Sequence, residues 1–366
     1  MEWTIFFWLA AGMVALVGGA ELLVRGASRL AIAIGISPLV VGLTVVAYGT
    51  STPELAVSVQ AAVGGNGGLV IGNVVGSNIA NVLLILGLSA LIVPLTVDQR
   101  LVRFEVPLLV GVSALTWFFA ADGHMGRLEG LLLTAGAIIY TVFVVQQSRY
   151  ETRAVQAEYE REFNPESSEV IDPARSWTGV VINVALIVVG LGLLLIGSRW
   201  LVDGASTIAR ALGVGDLLIG LTIVAVGTSL PELATSIVAS VRGERDIAVG
   251  NVVGSNLFNL LFVLGASSLV SPIPVDYQAL VFDFPIMLAA AIACLPVFFS
   301  GYRIDRWEGG VMLGFYAMYI AYLVAGALGN RDWMNLQSSV VVFLAPLVIL
   351  TLAVSAYRFS RTQKTQ

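Results

Sequence analysis

Two glutamates stand where an ionised side chain is costly. Glu54 and Glu232 each follow a proline inside an apolar stretch, in Gly49-Thr50-Ser51-Thr52-Pro53-Glu54 and Gly227-Thr228-Ser229-Leu230-Pro231-Glu232. At membrane depth a charged carboxylate costs several kcal/mol unless something pairs with it. No Lys or Arg lies in either stretch. The prolines lack an N–H, so the carbonyls of Gly49 and Gly227 are expected to lose their helical donors. Thr50, Ser51, Thr228 and Ser229 add hydroxyl oxygens on the same turns. Further along, Ser77 and Asn81 are spaced to share one helical face, as are Ser255 and Asn259. Every group in this set offers oxygen, and none offers sulfur or imidazole. Such a set suits hard cations such as Ca²⁺ and Na⁺ rather than zinc or copper. Two carboxylates balance one Ca²⁺ or two Na⁺, which makes competition between those ions natural.

These residues recur in register. Residues 42–55 match residues 220–233 at 11 of 14 positions, an offset of 178. Gly72-Asn73-Val74-Val75-Gly76-Ser77-Asn78 returns unchanged as Gly250-Asn251-Val252-Val253-Gly254-Ser255-Asn256. Pro94/Pro272, Asp98/Asp276 and Pro107/Pro285 keep the offset; after one added residue Arg127/Arg306 and Glu129/Glu308 align too. The glycine pairs at 72 and 76, and at 250 and 254, read as surfaces for close helix packing.

The chain that must position these groups has 366 residues, 57% hydrophobic and only 12% charged, with a mean hydropathy of +0.90. An ordinary soluble domain is about a quarter charged. So little charge cannot cover a large water-facing surface. A net charge of −5 argues against a nucleic-acid partner. A helix crossing the hydrocarbon core needs about 20 mostly apolar residues. Eleven stretches qualify: roughly 3–24, 38–62, 72–93, 105–121, 128–147, 178–201, 216–241, 250–270, 281–300, 308–328 and 338–357. The expected fold is an all-α polytopic membrane protein: two inverted five-helix repeats plus one extra C-terminal transmembrane helix. Five spans per repeat is an odd number, so the second copy must sit upside down. Inverted repeats are characteristic of secondary transporters with a midplane site, although channels use them too. The expected divisions are 1–147 for the first half, 148–177 for a cytoplasmic linker, 178–328 for the second half, and 329–366 for the extra span and tail.

With the N-terminus outside, the inside loops collect 15 of the 19 basic residues, leaving Arg127, Arg199, Arg210 and Arg331 outside. The location expected is a prokaryotic cell membrane, with the C-terminus inside. The first span reads as a retained helix, since it lacks a basic leader and runs too long. Other residues invite blander readings. His124 reads as a surface histidine beside Asp122, Cys294 as a buried thiol, and Glu21–Arg25 with Arg199–Asp203 as interfacial ion pairs.

The paired G-T-S-x-P-E and G-N-V-V-G-S-N-x-x-N segments resemble the two α-repeats of the sodium/calcium exchanger branch of the cation/Ca²⁺ antiporter superfamily. The resemblance covers ten of the eleven expected spans. It implies Na⁺-for-Ca²⁺ counter-transport through four clustered oxygen sites, with alternating access by sliding of the long first and sixth helices. Carried over by position, the ligands would be Ala47 (main chain), Thr50, Ser51, Glu54, Ser77 and Asn81. The second repeat would supply Ala225 (main chain), Thr228, Ser229, Glu232, Ser255 and Asn259. Some prokaryotic members carry Asp at one inner amide position, where this chain has Asn81 and Asn259. The expected partners are Ca²⁺, Na⁺ and the lipid bilayer, with H⁺ an alternative to Na⁺. No cofactor, enzymatic activity or obligate protein partner is expected. The alternative functions are a Ca²⁺/H⁺ antiporter on the same scaffold and a cation channel. Hydroxyls around each glutamate favour Na⁺ over H⁺, and the apolar outer halves of the spans argue against a continuous pore.

Overall fold

The computed structural model describes residues 3–163, 177–215, 219, 223, 225–299 and 301–327. Long apolar runs with internally bonded backbone are what a bilayer permits, and the described residues are mostly helix. The first half runs α1 (Trp3–Ile34), α2 (Pro38–Thr50), α3 (Thr52–Val63), α4 (Gly67–Ile92), α5 (Leu101–Ala120) and α6 (Arg127–Phe163). The second runs α7 (Trp177–Ala211), α8 (Ala225–Thr228), α9 (Leu230–Arg242), α10 (Arg245–Val270), α11 (Ala279–Phe298) and α12 (Arg306–Ala327). Eight of these are long and apolar enough to cross a membrane, and the bent pair α2–α3 makes nine. The span expected at 216–241 is seen in part, as α8 and α9. The eleventh expected span, 338–357, lies outside the described residues, as do residues 164–176 of the linker expected at 148–177, whose first part continues α6 as helix to Phe163.

Three spans outrun their expected length. α1 runs to Ile34 rather than ending near 24, α6 to Phe163 rather than 147, and α7 to Ala211 rather than 201. At 1.5 Å per residue such helices are roughly 50 Å long, well beyond a hydrocarbon core of about 30 Å. Helices of that length tilt or project, so Arg25 and Arg29 belong to the helix and not to a loop.

Four two-residue strands fix the relation of the halves: β1 (Leu95–Thr96), β2 (His124–Met125), β3 (Ile273–Pro274) and β4 (Arg303–Ile304). β1 pairs with β4 and β2 with β3, both antiparallel. β1 and β2 lie at opposite ends of α5, and β3 and β4 at opposite ends of its repeat counterpart α11. The start of α5 therefore meets the end of α11, and equivalent helices run in opposite directions. The same inversion appears between α1 and α7. A Cβ on Gly19 would lie 2.7 Å from the Gly190 carbonyl, and a Cβ on Gly190 would lie 2.7 Å from that of Gly19. Backbone touches backbone there, and only glycine permits it.

The most enclosed of the candidate spans buries several polar side chains. α10 carries Asn251, Ser255, Asn256 and Asn259, all buried. It crosses α2 so closely that a Cβ on Gly254 would meet the Leu43 carbonyl at 2.5 Å. The expected close packing thus holds for Gly250 and Gly254. The counterpart surface for Gly72 and Gly76 would be residues 217–221, mostly outside the described set. π-helical turns at Asn81–Leu86 and Leu101–Glu105 recur at Asn259–Val263 and Ala279–Asp283. Each inserts an extra residue per turn and re-aims the face that follows, a device common at functional sites. His124 is exposed and 3.2 Å from Asp122. Glu21 pairs with Arg25 and also with Arg242 of α9.

Candidate cation site at the two broken helices

The breaks fall at Ser51 and Ser229. Their backbone angles, φ −85°, ψ 10° and φ −91°, ψ 7°, leave the helix and re-enter it one residue later. Pro53 and Pro231 sit in the first turns of α3 and α9, where a missing N–H costs nothing. The axis bends by 46° between α2 and α3. Glu54 and Glu232 thereby occupy the first turn of a new helix, where unpaired N–H groups and the helix dipole favour negative charge. The Gly227 carbonyl is not left open, because Ser198 of α7 donates to it at 2.7 Å. The Ala47 carbonyl accepts from the Ser51 N–H at 3.0 Å and from the Thr50 hydroxyl at 3.3 Å. Ser229 instead donates its N–H to Val226 at 3.1 Å, one residue past Ala225, which opens α8.

The hydroxyls cross between repeats. Ser51 Oγ donates to Glu232 Oε1 at 2.8 Å, and Ser229 Oγ to Glu54 Oε1 at 3.4 Å. Thr228 likewise faces the Glu54 carboxyl, and Thr50 that of Glu232. Glu54 and Glu232 are each 1% exposed and within electrostatic reach of one another. The ion pairs of the described residues do not involve either.

The long helices complete the arrangement by the same crossing. Asn81 Nδ2 donates to Asn256 Oδ1 at 2.9 Å, and Asn259 Nδ2 to Ser77 Oγ at 3.1 Å and Asn78 Oδ1 at 3.4 Å. Both amides spend their donors across the interface, and their carbonyl oxygens remain. Glu54 Oε2, Glu232 Oε2, Asn81 Oδ1, Asn259 Oδ1 and Ser255 Oγ are buried without a hydrogen-bond partner. Four of these five atoms are acceptors when the carboxyls are ionised, and burying acceptors with no donor is costly. A cation is the kind of partner that buried acceptors without a donor accommodate. No group of three or more His, Cys, Asp or Glu residues gathers among the described residues, so two carboxylates and neutral oxygens are what such an ion would meet.

Six supporting residues escaped the sequence reading. Asn73 and Asn251 reach back to the glutamate turns, each also bonding Ser58 or Ser236, while Asn78 and Asn256 receive the inner amides. The repeat held the signal: Asn73, Ser77 and Asn81 are spaced by four, as are Asn251, Ser255 and Asn259.

Known proteins resemble this chain over most of its length. The family described as sodium/calcium exchanger protein matches twice, over residues 4–146 and again over 182–325. The chain belongs to the sodium/calcium exchanger family. The two matches start 178 residues apart (182 less 4), which is the offset of the motifs. Among relatives of this family, a putative antiporter CaxA of Alkalimonas amylolytica is 41% identical over 85% of this chain and 95% of its own. The sodium/calcium exchanger MaX1 of Methanosarcina acetivorans is 35% identical over 87% of this chain and 98% of its own. The solved structure of the sodium-calcium exchanger NCX_Mj soaked with zero Na⁺ and Ca²⁺ superposes with a TM-score of 0.74. That match has 31% identity and covers 88% of this chain and 100% of that one. The protein is thus a multi-pass membrane transporter of the cation/Ca²⁺ antiporter type and not an enzyme.

Proposed function

We propose that this exchanger-family protein couples Ca²⁺ movement to Na⁺ in the opposite direction, at one midplane site between the broken helices. The carrying observation is the set of partnerless buried oxygens on Glu54, Glu232, Asn81, Asn259 and Ser255. Glu54 and Glu232 supply the fixed charge. Thr50, Ser51, Thr228, Ser229, Ser77 and Ser255 supply hydroxyl oxygens, Asn81 and Asn259 amide oxygens, and Ala47 and Ala225 main-chain carbonyls. Ca²⁺ takes 6–8 oxygens and draws both carboxylates to one ion, whereas two Na⁺ divide them. One set of ligands then holds either cargo but not both, and alternating access makes that competition into exchange. Hydroxyls that donate to the carboxylates in the absence of ions turn their lone pairs inward when an ion enters. In the cell membrane of a prokaryote, the basic residues orient the N-terminus outward and the C-terminus inward.

The test is ⁴⁵Ca²⁺ uptake into proteoliposomes under an imposed Na⁺ gradient or an imposed pH gradient. Uptake driven by Na⁺ alone is expected. Uptake driven only by protons would keep the scaffold and make H⁺ the coupling ion, and rapid equilibration with neither gradient would overturn antiport.

A further inference from the structure

The side chains behind the glutamate turns are asparagines, and the reading above gives them no task. Asn73 Nδ2 donates to the Glu54 main-chain carbonyl at 3.0 Å and to Ser58 Oγ at 2.8 Å. Asn251 Nδ2 donates to the Glu232 carbonyl at 3.4 Å and to Ser236 Oγ at 3.0 Å. In each repeat one amide spans from α4 or α10 to the first turn and a half of the helix bearing the carboxylate. The acid's backbone is thus held by the same helix that carries the inner Ser and Asn. The repeats differ in burial, Asn251 being fully buried and Asn73 half-buried. Asn251 Oδ1 also lies within hydrogen-bond reach of the Thr50 hydroxyl, at 3.2 Å. Asn251 therefore fixes Glu232 of its own repeat and orients a hydroxyl of the other.

We propose that Asn73 and Asn251 are positioning residues that set the mutual placement of the two carboxylates, and through it the preference for a divalent over a monovalent cation. The proposal rests on the exchange reading above. One Ca²⁺ requires Glu54 and Glu232 at a fixed separation, because both must reach the same ion. Each Na⁺ requires only one of them. Slackening either turn penalises the ion that needs both. Partners that orient a metal ligand typically contribute about 10–100-fold to metal affinity.

The experiment compares half-saturation for ⁴⁵Ca²⁺ uptake with half-saturation for ²²Na⁺ self-exchange in proteoliposomes of the full chain. The variants are Asn251→Ala, Asn251→Asp, Asn73→Ala, and the pair Ser58→Ala and Ser236→Ala. Asn251→Ala is expected to raise the Ca²⁺ value by about 10–100-fold while the Na⁺ value stays near wild type. Asn73→Ala should do the same to a smaller degree. Asn251→Asp keeps the size but cannot donate to the Glu232 carbonyl when ionised, so it too should weaken Ca²⁺. Tighter Ca²⁺ binding in that variant would mean that added charge outweighs position, and the proposal would fall. Equal shifts for both ions, or no shift, would also overturn it. Should the alanine variants fail to assemble, the serine variants carry the test, since each removes one anchor of the same amide. Wild-type protein in which Na⁺ does not displace Ca²⁺ would instead bring down the exchange reading itself.

Discussion

Two symmetric pairs of acids lie within the fold, Glu54, Glu232 and Glu105 buried and Asp283 half-buried, and their hydrogen bonds run differently. Glu54 and Glu232 receive hydroxyls from the opposite repeat, at 3.4 Å from Ser229 and 2.8 Å from Ser51. Glu105 and Asp283, also repeat counterparts, receive theirs from within the same repeat. Tyr140 of α6 donates to Glu105 at 2.8 Å, and Tyr319 of α12 to Asp283 at 3.0 Å. Both of these outer acids close a π-helical turn at the start of α5 or α11. Bonds within a half tie neighbouring helices of one repeat, whereas bonds across the interface join the two repeats at the candidate site. The inner pair is thus a joint between the two repeats, and the outer pair a tie between neighbouring helices of each.

Substitution of an inner acid should break this comparison most severely. Glu54→Gln or Glu232→Gln removes half of the fixed negative charge and is expected to abolish Ca²⁺ uptake. Glu105→Gln and Asp283→Asn should leave the Ca²⁺ half-saturation close to wild type. An outer variant that loses Ca²⁺ uptake as completely as an inner one would erase the distinction. Acidity should act in the same direction as the inner substitutions. Protons neutralise the carboxylates that Ca²⁺ needs, so uptake is expected to decline as pH falls, and a flat profile down to about pH 5 would count against a shared pair.

Single hydroxyls sharpen the contrast further. A hydrogen bond to a charged group is worth about 1.5–3 kcal/mol. Tyr140→Phe should therefore lower the unfolding temperature in detergent and leave ion affinity alone, while Ser51→Ala, which removes a proposed ligand oxygen, should raise the Ca²⁺ half-saturation. The smallest effect belongs to the half-exposed contact of Arg242 with Glu21, where Nε lies 2.9 Å from Oε2. Its counterpart position is Gly64, so the α1–α9 tie has no equivalent in the other repeat. Exposed pairs contribute about 0–1 kcal/mol, and Arg242→Gln should shift Na⁺ half-saturation slightly and unequally from the two faces of oriented vesicles.

Much of this was legible in the sequence, because membrane depth restricts what a residue can be. Glu54 and Glu232 stand out for lacking a basic neighbour, and the 178-residue offset pairs them before any coordinates. The exchange of partners was harder to read. Nothing local in Ser51 says that its hydroxyl serves Glu232 and not Glu54, since that follows from two inverted breaks meeting. The outer acids were missed because Glu105 and Asp283 border their spans, where an acid reads as interfacial. Only the alignment of Glu105 with Asp283 and of Tyr140 with Tyr319 marks them as a built pair. The Gly227 carbonyl was misjudged for a related reason: a helix distant in sequence supplied Ser198 as its donor. Length was misjudged at α1, α6 and α7, where hydropathy marks the lipid boundary and the helix continues past it.

The reciprocal bonds also carry a cost in time. Ser51 and Glu232 are 181 residues apart in the chain. At ribosomal speeds of about 5–20 residues per second, roughly 10–40 s separate the synthesis of one from that of the other. Throughout that interval the first half exists with Glu54 and Ser51 made and their partners not yet translated. A nascent first half must therefore hold its acid hydrated or protonated within the insertion machinery, and the ordered site comes into being only when the second half arrives.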